Sequence, residues 1–134
     1  PIYDDGTPPF DLDKPVLDLG ETEFGVWYVD VMDNPDRYRG KVISFLGQVA
    51  KSEQFPRGSC ACGRFAMVCC AEDTTFLGVL CKGPEVRTLK TRDWVKMTAR
   101  VQIENEKLYK GEGPVLHILQ VEQAKAPADP LVYF

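Results

Sequence analysis

No stretch of this 134-residue sequence approaches the roughly 18 to 20 consecutive apolar residues that would cross a bilayer as a helix. Histidine occurs once, as His117. No Ser/His/Asp arrangement, paired-carboxylate constellation or phosphate-cradling glycine loop is evident, so no enzymatic activity is expected. Positive charge is in short supply: 16 Lys and Arg stand against 20 Asp and Glu, a net charge of −4. That balance argues against a broad phosphate-binding surface. The five cysteines cannot all pair within one chain, which is awkward for a secreted disulfide scaffold. The sequence opens at Pro1 without a basic n-region or an apolar h-region, and is expected to be a piece of a longer protein.

The acid that is present gathers at one end. Residues 1–23 carry Asp4, Asp5, Asp11, Asp13, Asp18, Glu21 and Glu23 against Lys14 alone, leaving about +2 for the rest of the chain. Pro8, Pro9 and Pro15 fall in the same stretch. Residues 1–22 therefore read as an extended acidic leader or tether, and residues 23–134 as one domain large enough to bury a core without staples.

From Thr22 the texture changes. Phe24, Trp27, Tyr28, Val31 and Met32 recur at helical spacing with Thr22 placed to cap. Asn34-Pro35 restarts a helical turn that ends at Gly40. Lys41 to Lys51 is apolar on both faces with Gly47 in its middle, the pattern of a strand that bends to join two sides of a small barrel. Residues 52–63 read as a loop, 64–71 and 76–82 as a hairpin, and Pro84 to Thr91 as a short helix. Val95, Met97, Ala99, Val101 and Ile103 alternate strictly with Lys96, Thr98, Arg100 and Gln102, which marks a half-buried strand. Val115 to Gln123 is the last strand, and the Pro-rich tail is expected to be irregular but docked. Three strands, a short helix and two more strands make an all-β chain with short helices, a five-stranded OB-fold-like barrel.

Cys60, Cys62, Cys69 and Cys70 lie in or just before Gly63–Asp73, and Cys81 follows. A turn centred near Asp73-Thr74 would set Cys70 opposite Leu77 and Cys81 opposite Ala66. Cys81 then stands roughly 10 to 13 Å along the ladder from Cys69 and Cys70, so Cys60 and Cys62 are its better neighbours. Adjacent Cys69 and Cys70 point to opposite faces, with Cys69 on the side of Phe65 and Met67. One reading is a thiolate site, zinc being the metal of choice, from Cys60, Cys62 and Cys81 with Cys70 or water as fourth ligand. The heavier alternative is thiols packed as small hydrophobes; a disulfide such as Cys62 to Cys81 is the third. Asp73 reads as a turn residue, and His117 as a satisfied or surface-strand histidine.

Lys82, Arg87, Lys90, Arg92, Lys96 and Arg100 form a local positive excess. Single-strand binding also needs aromatic platforms alternating with that charge. This segment offers only Trp94, so nucleic acid is a disfavoured partner.

Tyr38-x-Gly40-Lys41, the strand with Gly47, Gly63-Arg64 followed by Cys69-Cys70-x-x-Asp73, Trp94-Val95, and Pro127-x-x-Pro130 with Tyr133 together resemble a bacterial family. It is the two-component permease subunit family, whose soluble C-terminal domain is the domain of unknown function 1980. Carried over by position, Arg64, Cys69, Cys70 and Asp73 match its characteristic core, whereas Cys60, Cys62 and Cys81 are not part of it. The resemblance implies a membrane permease subunit as partner, membrane anchoring through a missing N-terminal segment, and a soluble domain on the extracytoplasmic side. The function expected is a non-enzymatic domain acting by protein–protein contact or ligand capture. Soft-metal binding at the cysteines and single-stranded nucleic-acid binding are the alternatives.

Overall fold

The computed structural model describes residues 7–67, 70 and 72–133. Among them the chain forms seven strands: β1 (Leu17–Leu19), β2 (Val42–Ala50), β3 (Ser59–Met67), β4 (Thr74–Lys82), β5 (Trp94–Glu106), β6 (Gly111–Gln123) and β7 (Leu131–Val132). One α-helix, α1 (Phe24–Asp33), precedes β2, and short 3₁₀ turns at Pro35–Tyr38, Pro84–Thr88 and Lys107–Tyr109 fill the connections.

The strict alternation after Trp94 does what its period dictates. Val95, Met97, Ala99 and Val101 are fully buried, while Lys96, Thr98, Arg100 and Gln102 face out. β5 pairs antiparallel with β2 from Val42↔Arg100 to Gln48↔Trp94, and with β6 on its other side. β6 runs parallel to β4, and β4 is antiparallel to β3. β3 then returns to β2 at Gln48↔Gly63, Val49↔Cys62 and Ala50↔Ala61. These pairings close a five-stranded mixed barrel with OB topology, as the order of elements led us to expect.

β2 is the strand that serves both sides of the barrel, and it changes partner at Gln48, next to Gly47. A Cβ on Gly47 would lie 2.8 Å from the Phe45 ring and 2.9 Å from Cys62 Sγ, so the glycine makes room for both.

α1 buries Phe24, Trp27 and Val31. Phe45 meets Phe24 at 5.2 Å between ring centroids and Trp27 at 6.3 Å, so the helix plugs the barrel through an aromatic cluster. Thr22 does not cap the helix, and Asn34, which precedes the 3₁₀ turn at Pro35, makes no side-chain cap bond to it. The residue before the helix is Glu23, not Thr22, and its carboxylate accepts the Gly20 N–H at 2.8 Å. Asn34 instead donates its amide to Asp30 Oδ1 at 2.9 Å.

Several boundaries differ from the sequence expectations, β6 for instance starting at Gly111 rather than Val115 and the short helix ending at Thr88 rather than Thr91. Residues 59–63, read as loop, belong to β3, because β4 is long enough to pair with them. The hairpin register runs from Ser59↔Lys82 to Met67↔Thr74, so the turn lies near Cys70 rather than at Asp73-Thr74. Within the stretch read as leader, Leu17–Leu19 pairs parallel with β2 and buries Leu17 and Leu19. The tail does dock: Leu131 and Val132 add to β3 beside Phe65 and Ala66.

Candidate functional site

The corrected register decides the cysteine geometry. Cys60 stands directly opposite Cys81, Cys62 sits two residues along the same face, and all three are 0% exposed in the core. Burial pushes the thiols of Cys62 and Cys81 well up, while a hydrogen bond from Cys81 pulls Cys60 down against its own burial. The Cys81 Sγ also lies 3.3 Å from the Val79 carbonyl, to which it can donate. Cys70 is exposed at the far end of the hairpin, seven or more ladder positions away, or on the order of 25 Å. It cannot complete a site with Cys60, Cys62 and Cys81, because the ladder holds the two ends of the hairpin apart. Cys62 faces Val79 rather than Cys81, and Cys60, Cys62, Cys70 and Cys81 are all free thiols. Among the described residues no group of three or more His, Cys, Asp or Glu side chains could hold a metal ion. Cys69 lies outside the described residues.

Asp73 is exposed, and its backbone N–H donates to the Cys70 carbonyl at 2.9 Å. It takes no part in the Arg64 site. His117 is half-exposed on β6 and meets Glu104 Oε2 at 2.5 Å. Glu104 and Glu106 both hold Lys82 Nζ, at 3.1 and 2.7 Å.

Arg64 is where the structure concentrates its polar geometry. Its neighbour Gly63 packs so closely that an added Cβ would fall 1.8 Å from the Leu77 carbonyl oxygen. The Arg64 side chain is 0% exposed. Its guanidinium donates to both oxygens of Glu21, Nη1 to Oε2 at 2.6 Å and Nη2 to Oε1 at 2.8 Å. Nη2 also reaches the carbonyls of Asp129 and Pro130, each at 3.3 Å. The Trp94 ring covers the guanidinium 5.1 Å from its centroid. A buried cation is tolerated only when its donors are used and its charge is met; here the segment before α1 and the C-terminal tail supply what it needs. Both ends of the described chain are thereby pinned to one residue of β3.

An open cleft of about 550 Å³ adjoins this hub, walled by Glu21, Thr22, Pro127, Asp129, Leu131 and Tyr133. Asp129 accepts the Leu131 N–H at 3.0 Å and the Tyr133 hydroxyl at 2.8 Å, and these bonds hold its carboxyl below the usual range. The same bond pushes the Tyr133 hydroxyl up.

Of the sequence candidates, the structure thus brings Cys60, Cys62 and Cys81 together and leaves Cys70 and Asp73 apart. It adds Glu21, Trp94 and the Asp129-Pro130 carbonyls around Arg64. An arginine within a short apolar strand was the available signal; its partner 43 positions upstream carries no local mark.

Among the described residues no helix is long and apolar enough to cross a membrane. Two curated relatives match. One, from Streptococcus mutans, is named “Putative two-component membrane permease complex subunit” and is 28% identical over 110 residues, 79% of this chain and 40% of its own. The other is UPF0703 protein YcgQ of Bacillus subtilis, 23% identical over 120 residues, 90% of this chain and 42% of its own. The chain therefore spans about two-fifths of the length of these relatives. Among solved structures, the S. pombe Stn1-ten1 complex aligns at 13% identity with a TM-score of 0.42, over 85% of this chain and 79% of that one. The S. pombe telomere capping protein Ten1 aligns at 14% identity with a TM-score of 0.43, over 85% and 84%. The family pattern of the DUF1980 C-terminal domain matches residues 7–134, and the chain belongs to that family.

Proposed function

We propose that this chain is the non-enzymatic soluble domain of a membrane-anchored permease-complex subunit, acting by contact with a permease partner or by capturing a ligand for it. The observation that carries this reading is the match to a relative named as such a subunit, over about two-fifths of that relative's length. The membrane-spanning segment then belongs to the part of the protein outside this sequence. The acidic stretch ahead of β1 links it to the barrel, which stands on the extracytoplasmic side. The Arg64 hub supports the assignment physically. A chain arriving through Glu21 is clamped by a two-pronged ion pair to the barrel wall, so an anchor upstream would orient the whole domain. Affinity capture of the tagged full-length protein from native membranes tests it. Recovery of a permease is expected, and a clean failure to recover one from membranes that contain both would contradict it.

A further inference from the structure

The exposed side of the β3–β4 hairpin carries a feature that neither barrel closure nor the Arg64 hub uses. Phe65 on β3 and Phe76 on β4 are register partners whose rings meet at 4.9 Å, yet Phe65 is 42% exposed. Phe76 lies over Gly78, where an added Cβ would come within 2.5 Å of its ring. The two rings wall a groove of about 290 Å³ with Arg92 at its rim. Arg92 is one of two non-glycine residues among those described with positive φ, at 82°. Its backbone is held there by an N–H bond to the Val49 carbonyl at 2.8 Å and by Gln48 Nε2, which donates to its carbonyl at 3.3 Å. Backbone strain of this kind costs on the order of 1–3 kcal/mol and persists where the surroundings impose it.

A second, open cleft of about 690 Å³ is lined from Lys51 onward, the residue after Ala50 of the groove. Lys51, Arg57 and Arg87 line it with Glu53 as the one carboxylate. Lys51 joins the two, since its backbone N–H donates to Oγ1 of Thr91, a groove residue, at 2.9 Å. Among the described residues, Lys51, Arg57, Arg87 and Arg92 make no ion pair, as holds for seven of the other twelve Lys and Arg; what sets these four apart is that they line neighbouring clefts in which Glu53 is the one lining carboxylate. An apolar slot beside such a cationic wall asks for an anion carrying one bulky apolar group.

We infer that this face docks an extended acidic peptide segment of a partner protein, with one aromatic or large aliphatic side chain seated against Phe65 and Phe76 and its carboxylates on Lys51, Arg57, Arg87 and Arg92. The inference rests on the permease-subunit reading and assigns a surface to its protein–protein contact. The layout favours an extended segment over a compact small molecule, because the aromatic pair and most of the cations line two separate clefts. A single-stranded nucleic acid would want successive stacking platforms, whereas this groove is lined by the one pair Phe65 and Phe76, on a chain of net charge −4.

Fluorescence anisotropy of a labelled Asp/Glu-rich peptide bearing one Phe, titrated with the chain at low salt, tests this. The peptide is expected to bind, to weaken as salt rises, and to lose about tenfold or more when its Phe is replaced by Ala or when Phe65→Ser is introduced. Arg57→Glu with Arg87→Glu leaves the aromatic pair intact and is expected to lose binding, which keeps the test decisive if the Phe65 variant folds poorly. No binding at low salt, unchanged affinity in the charge-reversed variant, or tighter binding of an oligothymidylate of equal charge would each overturn the inference. If the permease still co-purifies with the charge-reversed full-length protein, this surface is wrong while the subunit reading stands. If no permease is recovered even with the native protein, the subunit reading itself has failed.

Discussion

Arg64 and Glu21 form a two-pronged ion pair in which one partner is fully buried and the other is half in water, its side chain 51% exposed. The asymmetry sets what each substitution should do. Glu21→Gln leaves a buried guanidinium with a weaker acceptor and is expected to cost about 1–3 kcal/mol. Arg64→Ala removes the hub on which the tail also rests and should cost about 3 kcal/mol or more. Arg64→Lys should rescue little, because a point ammonium cannot serve two carboxylate oxygens and two carbonyls from one plane. Urea denaturation measures the stabilities, and hydrogen exchange should show Leu131 and Val132 losing protection in the Arg64 variants.

Close backbone packing makes a second prediction at Gly63. The 1.8 Å approach of an added Cβ to the Leu77 carbonyl leaves no rotamer to escape into, so the β3–β4 ladder itself would have to open. Gly63→Ala should destabilise by about 3 kcal/mol or more, read as a lowered urea midpoint. A cost under about 1 kcal/mol would mean that the two strands are not paired in this register.

Thiol labelling separates the cysteines by burial. With a water-soluble disulfide reagent on the native protein, Cys70 should react at once, while Cys60, Cys62 and Cys81 react only as the barrel opens. Burial acts twice on Cys62 and Cys81, by blocking access and by raising their pKa. Fast labelling of Cys81 in the folded state would contradict the register that places it opposite Cys60.

The Lys82 cluster predicts a pH profile with two limbs. Burial works to raise Glu104, but its bonds with His117 and Lys82 outweigh that and leave it below its ordinary value. Its stabilising contribution is thus present above its unfolded pKa, near 4.3, and fades as pH falls through the lowered folded value. Lys82 is raised, chiefly by its bond to Glu106. That contribution is present below its unfolded pKa, near 10.4, and fades as pH rises through the raised one. Glu104→Gln should flatten the acid limb and Lys82→Met the alkaline limb of stability against pH.

Much of the barrel was legible in the sequence for physical reasons. The alternation from Val95 to Ile103 is a strand with one wet face, and the two-faced apolar strand with Gly47 is the one that pairs on both sides. The hairpin register was not legible, because β3 and β4 carry apolar residues on both faces. Cys60, Ala61 and Cys62, and likewise Val79, Leu80 and Cys81, are all buried. With no polar face to expose, a slip costs nothing that periodicity can reveal. For the same reason Cys60 and Cys62 read as loop thiols although they lie in a central strand. The Arg64 site was half legible: a family resemblance marked Arg64, but the clustered acid upstream gave no indication that Glu21 alone would supply the counter-charge. Phe65 and Phe76 escaped notice as a pair because the expected turn set them out of register.

Site-specific photo-crosslinking in native membranes tests most directly whether this domain works by docking onto a permease. A photoreactive phenylalanine analogue is placed at Phe65 in the full-length protein and, in a separate variant, at Leu119, which is 51% exposed and outside the groove. A crosslink to the permease is expected from position 65 and not from position 119. Crosslinks to the permease from position 119 alone, or none from either position while both proteins are present, would contradict it.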